Sequence, residues 1–166
     1  MWLRLLYLAA LDPKMHQNEI SGGSQQGGCK TVEQSIQSLV PRMQTSGPTS
    51  FVRALEQISD YWSPRVVGRV NDQYVKVAKL KGQLAWHKHE QEDEMFLVVY
   101  GQLRLQFEDK EVELNSGEFY VVPKNTMHNP VAEEECGIVL IETMTTLHTG
   151  NVKTSLTKTV DQQLAH

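Results

Sequence analysis

Residues 65 to 145 predict an all-β fold, a sandwich or barrel, and three observations carry that prediction. Short apolar runs recur at a spacing of roughly ten residues, turn-forming residues separate them, and the clearest run alternates apolar with polar side chains. The size agrees, because 166 residues with 40% hydrophobic content make one domain plus appendages and exclude a disordered chain. Sixteen basic against 20 acidic residues give a net charge of −4, and the pI is near 5.9. With no Lys/Arg block to track phosphates, neither nucleic acid nor an anionic membrane surface is an expected partner. The two cysteines, Cys29 and Cys136, are too few and too far apart for a disulfide framework, a CxxC pair or a zinc ribbon, and read as free thiols.

The elements follow in order. Trp2 to Leu11 is apolar but far short of the roughly 20 residues a bilayer span needs. Its one Arg lies inside the stretch rather than in a basic leader, so a short helix or upstream extension is expected in preference to a signal peptide, and the protein is expected to be cytoplasmic. The Gly/Ser/Gln-rich run from Ser21 to Gly28 cannot bury enough apolar surface to offset its chain entropy, so residues 1–30 read as a flexible extension. Thr31-Val32-Glu33-Gln34 has capping-box spacing, and Val32, Ile36, Leu39 and Val40 recur at helical intervals until Pro41. A second helix is predicted from Phe51, Ala54, Leu55, Ile58 and Trp62, closed by Ser63-Pro64, its apolar stripe facing the main domain. Residues 31–64 are thus a helical lead-in.

From Arg65 the period becomes that of strands. Val66, Val67 and Val70 precede Asn71-Asp72, and Tyr74 to Ala78 follow it, which predicts a hairpin. Further strands are predicted at Leu84–His87, Met95–Tyr100, Leu103–Phe107, Glu111–Leu114, Phe119–Val122 and Ile138–Ile141, with turns that include Asn129-Pro130. Leu103, Leu105 and Phe107 share one face and are expected inside, with Arg104 and Gln106 outside. Glu133-Glu134-Glu135 reads as a solvated loop without chemistry. The barrel is assigned to residues 65–147, and the polar tail 148–166 is expected to be an extended or helical flank.

Three of the six histidines fall within the strand region beside dense carboxylates. His87 and His89, two apart on a predicted strand, project to one face and can chelate one ion. Glu94 opens the buried run Met95–Tyr100, where a carboxylate is costly unless paired or bound to a cation. Glu92 has the same strand parity and Asp93 lies between them, but Glu92 is nearer the turn and Glu94 is preferred. His128 lies downstream, at the start or turn of another strand. His16, His148 and His166 read as surface or tail residues, His148 alone being placed to approach the barrel mouth.

The run from Gly82 to Glu94, with its His87-Lys88-His89 pair, Glu94 and the closing Gly101, resembles the first motif of the cupins. Gly117, followed by Pro123 and then His128, resembles the second, and Gln102–Ser116 is similar to the compact connection of small bacterial members. Three departures stand out. Pro123-Lys124-Asn125 replaces the usual Pro-x-Gly, which Asn can tolerate because it accepts positive φ better than most residues. Ala132 replaces an Asn, and Gly82 to His87 is one residue shorter than the common form. None removes a ligand. The resemblance implies a double-stranded β-helix, the jelly-roll barrel, with His87, His89, Glu94 and His128 holding one divalent transition metal per chain inside its mouth. Such a donor set suits Fe, Mn, Ni, Cu or Zn and leaves positions open for water or substrate.

The function expected from this is a metal-dependent enzyme on a small organic substrate, of the dioxygenase or the isomerase/lyase type, with no catalytic acid or base assigned. The alternative is a non-catalytic module that binds a metal or a small molecule; a protein with no metal at all requires His87 and His89 on an outer face. Trp86, Phe96 and Met127 are candidates for an apolar wall, although core packing explains them as simply. Phe96 stands where cupin lyases of dimethylsulfoniopropionate typically carry Tyr, which argues against that activity. Lys88 and Arg104, the nearby cations that could clamp a sugar phosphate, are predicted to point away from the interior. Tyr100 and Tyr120 could serve as acid/base groups only if they face the pocket. A homodimer is expected through exposed sheet edges.

Overall fold

The computed structural model describes residues 47–165. The extension assigned to residues 1–30 and the helix predicted after Thr31 lie outside the described residues. The first helix of the described residues is α1 (Phe51–Glu56), capped by the Ser50 hydroxyl, which accepts from the Arg53 N–H. Seven strands follow: β1 (Arg65–Val70), β2 (Gln73–Gln83), β3 (Glu94–Tyr100), β4 (Gln102–Phe107), β5 (Glu111–Asn115), β6 (Phe119–Val122) and β7 (His128–Thr143). A last helix, α2 (Val160–Leu164), closes the tail with a capping box between Thr159 and Gln162.

All strand pairings are antiparallel, and β7 organises them. Residues 131–143 of it run beside β2, while on its other side it pairs first with β4 through residues 128–131 and then with β3 through residues 137–141. Between these two partners the register against β2 slips, Leu80 lying opposite Cys136 but Gly82 opposite Ala132. Glu133, Glu134 and Glu135 occupy that slip. They are not the loop predicted from sequence but an outward bulge of a continuous strand, and Asn129-Pro130 is likewise inside β7 rather than a turn. Two extra residues in one strand bend it, which is what lets β7 serve both halves of the fold. The bulge is tied down from outside: Glu135 accepts from the Tyr61 and Tyr100 hydroxyls, Glu134 pairs with Lys81 and Glu133 with Arg104.

Strand alternation sorts the core as expected. Leu103, Leu105 and Phe107 are buried inside with Ala78, Leu80, Phe96, Val98, Ile138 and Leu140. The opposite face of β2 and β7 is buried too, where Val77 and Val139 meet Leu55 and Ile58. The α1 segment thus covers the sheet, but the helix is shorter than its apolar spacing predicts. It ends at Glu56 because Ser59, Asp60 and Tyr61 leave helical geometry, and Trp62, at φ 56°, turns away from the α1 stripe into the barrel core. Its indole N–H donates to the Lys81 carbonyl. Gly101, at φ 81°, makes the β3–β4 turn so close to the bulge that an added Cβ would lie 2.6 Å from the Glu135 carbonyl oxygen. No helix among the described residues is long and apolar enough to cross a membrane.

Candidate metal centre

His87 does not sit on a regular strand, as its sequence spacing suggests, because β2 ends at Gln83. The chain nevertheless stays beside β7. Leu84 N–H donates to the Pro130 carbonyl, and His87 and His128 exchange both backbone hydrogen bonds at 2.9 Å. Two imidazoles that face each other across a hydrogen-bonded pair share one side of the sheet, and their ring centroids are 4.5 Å apart. His89 comes from the irregular segment that follows, its ring 5.2 Å from His87 and 6.0 Å from His128. Glu94, the first residue of β3, completes the group. The four ligand atoms lie within 4.8 Å of one another and all four residues are buried. Glu92 and Asp93 are outside it: Glu92 accepts from the Thr145 hydroxyl, and Asp93 from the Lys124 N–H.

The loop Pro123–Met127 fixes the His89 segment. Asn125 takes φ 59°, donates its N–H to the His89 carbonyl and accepts from the Lys88 ammonium. The residue standing where glycine is usual therefore both makes the turn and clasps the ligand segment. Asn125→Val is expected to lose about 1–2 kcal/mol of stability, since a β-branched residue resists the left-handed region, whereas Asn125→Gly keeps the backbone path. Urea denaturation of the two variants checks this ordering, and equal losses would contradict it.

The tautomers are set by the backbone. His87 Nδ1 and His128 Nδ1 each lie 2.9 Å from a carbonyl oxygen, of Ala85 and Thr126 respectively. A carbonyl only accepts, so both Nδ1 atoms carry the proton and both Nε2 lone pairs are free to face the cluster. His89 Nε2 lies 3.1 Å from Glu94 Oε2. His128 Nε2 is 3.3 Å from the same oxygen but lacks hydrogen-bond geometry, leaving it a buried nitrogen without a partner. Burial pushes His87 down to about 4, with His128 adding to the effect. Burial would raise Glu94, but the His128 and His89 imidazoles outweigh it and hold the carboxyl well below the usual range. For His89 burial is outweighed in turn by Glu94, and its pKa is raised.

Two features escape a reading of the sequence. Lys76 and Glu142, only 1% and 2% exposed, form an ion pair inside the barrel. Burial first, and the Glu94 carboxylate second, lift Glu142 to about 7 in spite of Lys76. The second feature is the cavity position of His148, which sequence reads as a surface or tail residue, though the one of the three outlying histidines placed to approach the barrel mouth. His148 lines a small, partly open cavity together with His87, Glu94 and the apolar side chains of Trp62, Leu80, Phe96 and Leu140. Of the wall expected from Trp86, Phe96 and Met127, only Phe96 is there; Trp86 is 45% exposed. Lys88 and Arg104 are engaged by Asn125 and by Glu133. Tyr100 and Tyr120 bond to Glu135 and Lys110 rather than to the cavity. Cys136 is a buried free thiol, raised by burial to about 12.

The comparisons with known proteins bear on the same region. A family model described as "Cupin domain" matches residues 74–142, and a cupin-2 domain containing protein from Shewanella frigidimarina is 40% identical, with 57% of this chain and 93% of that one covered at a TM-score of 0.56. The chain belongs to the cupin family. Protein NMB1881 from Neisseria meningitidis is 32% identical, covering 58% of this chain and 99% of its own, with a TM-score of 0.54. A relative from Bacillus subtilis, "Uncharacterized protein YdbB", is 38% identical over 63 residues, 37% of this chain, and the chain spans 56% of that relative's length. The matched region holds His87, His89, Glu94 and His128, so the cupin barrel and the buried His/His/Glu/His group coincide.

Proposed function

We propose that this cupin is a metal-dependent enzyme acting on a small organic molecule held beside the ion, of the oxygenase or the isomerase/lyase type. The observation that carries the reading is a buried donor set left incomplete without a cation. His128 Nε2 has no hydrogen-bond partner, backbone carbonyls fix the Nε2 lone pairs of His87 and His128 toward Glu94, and an apolar cavity adjoins them. His87, His89, Glu94 and His128 would hold one divalent transition ion, for which Fe, Mn, Ni, Cu and Zn all suit the donors. When bound, such an ion supplies a Lewis acid or a redox centre. The chain itself contributes the positioning of the ligands, the exclusion of water by Trp62, Leu80, Phe96 and Leu140, and the retention of neutral His87.

Elemental analysis of protein purified without an affinity tag is expected to give about one equivalent of metal per chain, lost in His128→Ala. Failure of both proteins to bind metal after reconstitution would overturn the ligand set. A metal-loaded protein inert toward phenols, diketones and thiols would leave the non-catalytic binding module as the better reading.

We further propose a cytoplasmic homodimer. Phe119 and Val121 are exposed on one face of the edge strand β6, at 61% and 43%, an apolar edge of the kind that pairs with a second copy. Light scattering should return twice the 18.9 kDa chain mass; a monomer would refute the dimer.

A further inference from the structure

We propose that His148 is a substrate-orienting residue, donating a hydrogen bond from Nε2 to an oxygen of the small molecule held in the apolar cavity. This rests on reading the cavity as a substrate site. Eleven residues line that cavity; Trp62 uses its indole N–H on the Lys81 carbonyl, and otherwise only His87, Glu94 and His148 carry polar side chains. Two of these belong to the ligand group, so His148 is the one polar side chain of the lining left over to meet a bound molecule.

Its chemistry is opposite to that of the ligand histidines. The Lys158 N–H donates to His148 Nδ1 at 3.1 Å, and a nitrogen that accepts a hydrogen bond carries no proton. The proton of the neutral ring is therefore on Nε2. In His87 and His128 the backbone accepts from Nδ1 and leaves Nε2 bare. One cavity thus meets two kinds of imidazole, that of His87 with a bare nitrogen suited to a cation and that of His148 with an N–H suited to an oxygen acceptor.

The segment that delivers His148 is built to hold it. Thr146 and Thr149 flank it and are fully buried. The Thr149 hydroxyl bonds the Val152 carbonyl and shares a hydrogen bond with the Thr157 hydroxyl. Gly150 takes φ 52° against the Lys88 carbonyl oxygen, which an added Cβ would meet at 2.1 Å. Thr145, Leu147, Gly150 and Asn151 face a second, polar pocket that reaches His89. The strap therefore separates that pocket from the apolar cavity, with His148 directed to the apolar side. The ligand class that fits is a compact molecule with an apolar body and one oxygen acceptor, a carboxylate, carbonyl or phenolate.

The test has two arms. Long-range 1H–15N NMR of the metal-free wild type should show His148 as the Nε2–H tautomer, and a Nδ1–H tautomer or an imidazolium at pH 7 overturns the proposal. This arm needs no variant, so a His148→Phe chain that failed to fold would not remove the test. In the second arm benzoate is titrated calorimetrically into zinc-loaded and metal-free protein. His148→Phe should bind it about tenfold more weakly than wild type, as expected for loss of one hydrogen bond to a charged group, with zinc content unchanged and with His148→Gln recovering part of the affinity. Equal affinities, or no binding by the wild type, overturn the assignment. Failure to take up zinc counts against the metal reading alone, because the tenfold ratio is then read on the metal-free proteins.

Discussion

Replacing Lys76 with methionine is expected to lower stability by about 3–5 kcal/mol, because it leaves Glu142 buried without its counter-ion. The pair lies between β2 and β7 inside the barrel, and neither residue can reach water without opening the sheet. The loss should depend on pH in a defined sense. Glu142 is already raised to about 7, so well below pH 7 it is protonated in both proteins, and the variant lacks mainly packing and a hydrogen bond. Removing the ammonium raises the folded-state pKa further, and a carboxyl loses stability as pH rises from its unfolded to its raised folded-state pKa, so the variant goes on losing stability above pH 7 where the wild type levels off. The deficit should therefore be larger at pH 8 than at pH 5. The Lys76→Met/Glu142→Leu double variant should recover most of it. Urea denaturation of the three proteins at both pH values checks this; a deficit under about 1 kcal/mol that ignores pH would mean that the pair does little for the fold.

Chelation is expected to have an effect of similar size. An ion present at about 1,000 times its dissociation constant adds about 4 kcal/mol, which for a domain of this size lowers the melting temperature on the order of 10 °C when it is removed. His128→Ala should melt near the chelated wild type and be insensitive to EDTA, since it lacks the histidine that faces His87 across the backbone pair. A wild-type melting temperature indifferent to both EDTA and added metal would sink the expectation. A large drop that no carboxylate or phenol reverses in part would point to an ion with a structural role only.

Much of this was legible before any coordinates. Alternation in Leu103–Phe107 gives the inward face because a strand's period of two admits no other sorting when one face is buried. The His87–His89 pair, Glu94 and His128 carry a spacing specific enough to be matched to a family, and the buried cluster contains those four residues. What stayed hidden depends on long-range partners. Lys76 and Glu142 are 66 residues apart, and each alone looks like a polar residue on the solvent side of a strand. His148 sits in a tail whose pattern is weak, since its position is fixed by threonine hydrogen bonds rather than by an apolar period. Leu84–His87 reads as a strand because its local sequence suits one, yet only the ends of that segment hydrogen-bond to β7. The acidic bulge Glu133–Glu135 reads as a loop because a register slip leaves no trace in hydrophobicity.

The position of β7 in the chain has a consequence for synthesis. Among the described strands β7 is the last to leave the ribosome, yet β2, β3 and β4 each pair with it. Until about residue 143 has emerged, those strands present open edges, and the barrel must wait for contacts of large sequence separation, the slow step for β topologies. His128 arrives on the same strand, so the donor set is complete only when the sheet can close. During translation the nascent chain therefore carries exposed, apolar strand edges until β7 arrives to pair with them.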